Sequence, residues 1–183
     1  MVGSDSEARA VLEEARRERQ PFPALGLLGG DLCRTLGGQG GDPARLRGGE
    51  GVRFTVDVGE VLLDGRLRLF VAHLVARSHL WTRSFVVMNA QWLGRWNLGP
   101  RAHPGDGLLD TYDARLPVAQ VMAVRARTHY GAHLPHPGIR ERRVPAAQMD
   151  LERPLPVRLD GQKAGSASTI AVRVLPDALV VVV

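Results

Sequence analysis

Val52-Arg53-Phe54-Thr55-Val56-Asp57-Val58 runs into Gly59-Glu60-Val61-Leu62-Leu63, then Asp64-Gly65, then Arg66-Leu67-Arg68-Leu69-Phe70. Val52, Phe54, Val56 and Val58 recur at every second position, the period of a half-buried strand. Asp64-Gly65 between two apolar runs is the signature of a two-residue β-hairpin. The return strand is expected over Leu67–Val75. Further strands are predicted at Ser84–Asn89, Leu108–Ala114, Arg143–Leu151, Leu155–Leu159, Thr169–Val174 and Leu179–Val183, with a helix over Leu116–Arg127. Residues 52–183 therefore read as an antiparallel β domain of sandwich or barrel type.

Upstream the texture differs. Ala8, Val11, Leu12 and Ala15 lie at helical spacing, which predicts an amphipathic helix over residues 7–19. Ser4 and Glu7 have capping-box spacing, and Ser6 is an alternative N-cap. Ala24–Leu28 reads as a short buried strand, Leu32–Leu36 as one or two helical turns, and the Gly-rich residues 37–51 as a linker. The chain of 183 residues carries a formal net charge of +5, and 23 of its 24 basic residues are arginine, Lys163 being the one lysine. Such a balance suits an anionic surface or a phosphorylated ligand without choosing between them; no nucleic-acid partner is expected. Cys33 alone can form neither an internal disulfide nor a cysteine zinc site. The N-terminus has no signal-peptide pattern, and no apolar run approaches a membrane span, so a cytoplasmic protein with peripheral membrane contact is expected.

Several segments carry a family resemblance. Arg101-Ala-His-Pro-Gly-Asp-Gly-Leu-Leu-Asp110 resembles the D-G-L-L-D segment of the diacylglycerol kinase family, which includes bacterial lipid kinases and sphingosine kinases. His136-Pro-Gly-Ile139 and Pro154-Leu-Pro-Val-Arg-Leu-Asp-Gly161 follow in family order. Val2-Gly-Ser-Asp-Ser-Glu7 stands where the family has V-G-G-D-G-T, and Leu25–Gly37 where it has G-T-G-N-D. The resemblance implies an α+β fold in two parts. Residues 1–50 would be a partial nucleotide-binding α/β domain, and residues 52–183 a C-terminal antiparallel β-sandwich, with the site between them. It implies ATP and Mg²⁺ as cofactors and a lipid hydroxyl as acceptor. Gly3, Asp5, Gly29, Gly30 and Asp31 would hold the nucleotide. Asp106, with the His103 and Leu108 carbonyls, would hold Mg²⁺. Asp160 and the position of Gln162 would carry the catalytic work.

The departures from the pattern are chemical. Ser4 and Ser6 replace glycines that let backbone N–H groups approach phosphate. Glu7 replaces a threonine with a carboxylate that repels phosphate. Gln162 replaces the glutamate proposed as general base; an amide cannot take a proton near neutral pH. Weak or no phosphotransfer is expected. The alternatives are a non-catalytic lipid- or partner-binding pseudokinase, a piece of a longer protein, and an NAD-kinase-like protein; a homodimer stays open. Outside these motifs, His129, His133 and His136 sit among prolines rather than on a helix and read as a turn. At least one of Trp81, Trp92 and Trp96 reads as core, with a lipid pocket or membrane interface as the alternative. Arg125, Arg127, Arg140, Arg142 and Arg143 read as a solvated face that could meet lipid headgroups.

Overall fold

The computed structural model describes residues 1–183. The N-terminal part contains α1 (Asp5–Arg17), β1 (Leu25–Gly26), α2 (Asp31–Thr35) and α3 (Pro43–Arg47). The rest runs β2 (Arg53–Leu63), β3 (Arg66–Phe70), β4 (His73–Arg77), β5 (Arg83–Met88), β6 (Trp92–Leu93), β7 (Trp96–Asn97), β8 (Leu109–Arg115), α4 (Val118–Arg127), β9 (Ile139–Val144), β10 (Ala146–Leu159) and β11 (Gln162–Val182). The expected antiparallel β fold is thus the one observed, within an α+β whole.

One sheet carries the strands in the order β3-β2-β11-β10-β4-β5-β8-β9, and β1 adds parallel to the end of β11. β6 and β7 form a separate two-stranded ribbon. The long strands bend through register shifts, between Asp150 and Leu155 in β10 and between Leu175 and Leu179 in β11. A bulge of this kind accommodates Pro154, whose missing N–H would otherwise leave a gap in the ladder. The curved sheet wraps a core that includes Phe70, Leu74, Phe85, Leu109, Leu159 and Ile170.

Two Asp-Gly turns organise the strands. In Asp64-Gly65 and Asp160-Gly161 both residues have positive φ, at 46° and 79° and at 49° and 79°, the conformation a twisted two-residue hairpin requires. Each aspartate also ties its turn to a neighbouring strand. Asp64 accepts from the N–H groups of Ser168 and Thr169; Asp160 accepts from Val71, Ala72 and His73. That second set splits the expected Leu67–Val75 strand into β3 and β4.

The helix expected at 7–19 begins two residues earlier. The Ser4 hydroxyl caps it by accepting from the Glu7 N–H, while Glu7 accepts from Gly3 rather than from Ser4. Within residues 37–51 the structure adds α3, capped by Asp42 and started by Pro43. Leu12, Leu25, Leu27 and Leu32 pack with Val56, Val58, Leu179 and Val181 in one apolar cluster. The N-terminal elements are thereby seated on the end of the sheet near Asp160. No helix is long and apolar enough to cross a membrane.

Candidate functional site

The register of β10, β4, β5, β8 and β9 lays out one face of the sheet in rows, because paired residues point to the same side. One row holds His73, Met88, Asp110 and Arg143; the next Arg158, Val75, Val86, Tyr112 and Glu141; the next Arg77, Ser84, Ala114 and Ile139. A polar junction lies at the first row. An apolar pocket covers the other two.

At the junction the structure brings Asp5, Asp31 and Asp160 together, and it adds His73, which the sequence reading missed. The His73 Nε2 lies 3.0 Å from an Asp31 carboxylate oxygen, and the Arg9 Nε lies 3.7 Å from Asp160. Asp5, Asp31 and His73 each offer a ligand atom within 4.8 Å of the others. Burial, and then the charge of Asp160, push the Asp5 carboxyl up to about 6. Burial raises Asp160 as well, against the pull of His73 and three backbone N–H groups. His73 stays above its usual value because its bond to Asp31 and the surrounding carboxylates outweigh its own burial.

MgATP does not fit this junction as the side chains stand. Asp5 accepts the Asp31 and Leu32 N–H groups at 2.6 and 3.1 Å. Those are the α2 amides that an anion would otherwise use. The Glu7 carboxylate takes the Gly3 N–H at 2.7 Å. A Cβ on Gly29 would meet the Gly3 carbonyl at 2.7 Å, so the two glycine segments are pressed against each other rather than around a ligand. Gln162 is exposed, directly after the Asp160-Gly161 turn, and pairs with Leu159 in the hairpin. Asp160 is instead buried as a backbone acceptor. The two residues expected to share the catalytic work therefore occupy different environments.

The expected Mg²⁺ loop is also internally satisfied. Asp106 caps its own turn through the Leu108 N–H at 3.0 Å and is paired with Arg143. A guanidinium thus stands against the carboxylate where a divalent ion would need it. Arg143 lies 3.3 Å from Asp110 too, so it is no free member of a basic patch. Burial raises the Asp110 carboxyl to about 6, with Arg143 opposing.

The pocket lies between α4 and the sheet. Its lining includes Trp81, Val86, Trp96, Leu98, Tyr112 and Val124, around a cavity of about 80 Å³ that opens to solvent. Four buried polar atoms in its lining make no well-formed hydrogen bond: Trp96 Nε1, the Tyr112 hydroxyl, which faces the Asp110 carboxyl, and both ring nitrogens of His133, which lies against the Leu98 backbone. Burial lowers the His133 pKa, which favours neutral imidazole. Trp81 and Trp96 meet edge to face at 6.2 Å and line the pocket, and Trp81 also packs against the cluster of Val75, Val86, Met88 and Tyr112, as expected of a core residue. His129 and His136 do not join His133 in a metal cluster; His136 accepts the Gly138 N–H at 3.0 Å.

Comparisons with known proteins agree with this architecture. The family model described as the YegS C-terminal NAD kinase beta sandwich-like domain matches residues 53–183. A solved diacylglycerol kinase structure from Bacillus anthracis is 18% identical at a TM-score of 0.63, covering 87% of this chain and 66% of that one. A provisionally assigned diacylglycerol kinase from the same organism is 16% identical at 0.64, covering 87% and 69%. At these identities the structures establish the fold. No curated protein matches the sequence. From Arg53 to Val183, the chain belongs to the family of YegS-type C-terminal domains with the NAD-kinase-like β-sandwich, as its lipid-kinase-like motifs led one to expect.

Proposed function

We propose that this protein is a lipid-binding member of the lipid kinase fold that transfers phosphate weakly or not at all. The observation that carries the reading is the contrast within one sheet face. The pocket under α4 is apolar and has unfilled hydrogen-bonding capacity. The amides that would receive nucleotide phosphates are occupied by Asp5 and Glu7. A buried polar atom without a partner costs roughly 1–3 kcal/mol. A ligand bringing a hydroxyl or ester oxygen to Tyr112, Trp96 and His133 would recover part of that while its chain fills the apolar space. The groups that would meet ATP, which the family resemblance implies, are already bonded to the protein's own carboxylates.

The surroundings suit a lipid arriving from a membrane surface. Leu80, Val118, Met122 and Tyr130 are exposed by 56%, 50%, 63% and 85%. They belong to α4 and to the turns beside the pocket lining. Large exposed apolar side chains next to arginines are the composition of a peripheral membrane contact. The test combines calorimetry with dioctanoylglycerol and with MgATP, and an assay of phosphate transfer to diacylglycerol. Lipid binding without nucleotide binding supports the reading. Micromolar MgATP affinity with turnover would replace it with an active lipid kinase, and failure to bind any lipid would remove it.

A further inference from the structure

Three arginines gather at the β10 and β4 side of the pocket without a carboxylate among them. Arg77 lies over the Trp81 ring at 4.7 Å and Arg125 over the Trp96 ring at 4.9 Å. Since those two indoles meet edge to face, the two guanidinium groups flank one aromatic pair at the pocket wall. Arg158 is opposite Val75 in the β4 register and shares the sheet face with Arg77. None of the three forms an ion pair, whereas Arg83, Arg115 and Arg143 on neighbouring strands each pair with an acid. Arg77 donates only to the Ser78 and His79 carbonyls, and Arg158 only to Gly161. Each guanidinium therefore keeps further N–H donors.

Like charges brought together without a counter-ion oppose one another. Burial, then Arg158 and Arg125, lower the Arg77 pKa, which places the three groups in each other's field. Such a cluster favours an anion, and arginine suits the oxygens of phosphate.

We infer that Arg77, Arg125 and Arg158 hold the phosphate headgroup of an amphiphile whose hydrocarbon chain lies in the pocket under α4. This deepens the lipid-binding reading and rests on it. The two carbonyl bonds hold the Arg77 side chain in place, and Trp81 and Trp96 wall the chain from water. The polar head then stays at the arginines, on the side of the face that Arg158 and Arg77 share.

The test is fluorescence titration of the full chain, with Trp81 and Trp96 reporting, against octyl phosphate, octanol and inorganic phosphate. Octyl phosphate should bind at least about tenfold more tightly than octanol, as a charge-assisted contact of ordinary strength provides. Inorganic phosphate alone should bind far more weakly than either. Arg158→Ala, at an exposed position outside the pocket lining, should remove about tenfold of the octyl phosphate affinity and leave octanol unchanged. Arg158→Lys should restore part of it. Equal binding of octyl phosphate and octanol, unaffected by Arg158→Ala, would overturn the headgroup site and leave lipid binding standing. Inorganic phosphate binding as tightly as octyl phosphate would overturn the amphiphile and leave a plain anion site. Failure of both octyl compounds to bind would overturn both readings.

Discussion

At the junction, both oxygens of Asp5, of Asp31 and of Asp160 accept hydrogen bonds. One row further along the same face and under α4, the Tyr112 hydroxyl, the Trp96 Nε1–H donor and the His133 ring make no well-formed hydrogen bond. The first region resembles a ligand site in composition, having acids, glycines and a helix start, yet its carboxylates are satisfied by the protein's own N–H groups, while Arg9 Nε and His73 Nδ1 have no hydrogen-bond partner. The second resembles core in composition, yet its polar atoms are unmatched. Residue types alone therefore mislead about where a ligand fits; the partners of the polar atoms decide it.

The comparison makes removal of Asp160 the most damaging change. Asp160→Ala leaves the N–H groups of Val71, Ala72 and His73 buried without an acceptor. A loss of roughly 3–6 kcal/mol is expected from the cost of such orphans, measured by urea denaturation. A loss below about 1 kcal/mol would mean that the junction is not held by this carboxylate.

The pocket should respond in the opposite sense. Tyr112→Phe deletes a hydroxyl that makes no well-formed hydrogen bond and faces the Asp110 carboxyl, so the ligand-free protein should keep its stability or gain up to about 1 kcal/mol. Its affinity for lipid should fall. A clear loss of stability in the same denaturation experiment would show that the hydroxyl is already satisfied.

A pH series sharpens the contrast. Asp5 and Asp110 have folded pKa values of about 6, above the usual carboxylate range. The folded protein then binds more protons than the unfolded chain between about pH 4 and 6, so their contribution to stability declines as pH rises through that window. His73, also raised, extends the decline above its usual value. His133, lowered by burial, acts the other way below it. Asp5→Asn should flatten the slope between pH 4 and 6. An unchanged slope would place Asp5 outside the titration.

The smallest effect belongs to the rim. Met122→Asp, at an exposed position, should alter stability by no more than about 0.5 kcal/mol. It should nevertheless reduce co-sedimentation with anionic vesicles. Unchanged sedimentation would remove α4 from the membrane contact.

Much of the fold was legible because its signals are local. The alternation of residues 52–58 and the Asp64-Gly65 turn are short-range chemistry, and Ser4 with Glu7 marks a helix start. The long strands β10 and β11 were harder. Pro154 and Gly165 look like strand ends, and only the register shift lets β10 continue. The Asp42-Pro43 start of α3 was an available signal, obscured by the surrounding glycines. In the site, Asp5, Asp31 and Asp160 were found through motif resemblance. His73 was not, since its role depends on Asp31 and Asp160, both distant in sequence. The pairing of Asp106 with Arg143 across 37 positions is equally invisible before folding. The three unpaired arginines stand out only once the paired ones are known.

A chain that receives a lipid and closes its nucleotide loops with its own carboxylates should tell the two ligands apart. The decisive experiment is calorimetric titration of one protein sample, first with MgATP and then with dioctanoylglycerol. No saturable heat is expected from MgATP up to millimolar concentration, and a saturable lipid isotherm is expected afterwards. Saturable micromolar MgATP binding with no lipid isotherm would contradict both expectations.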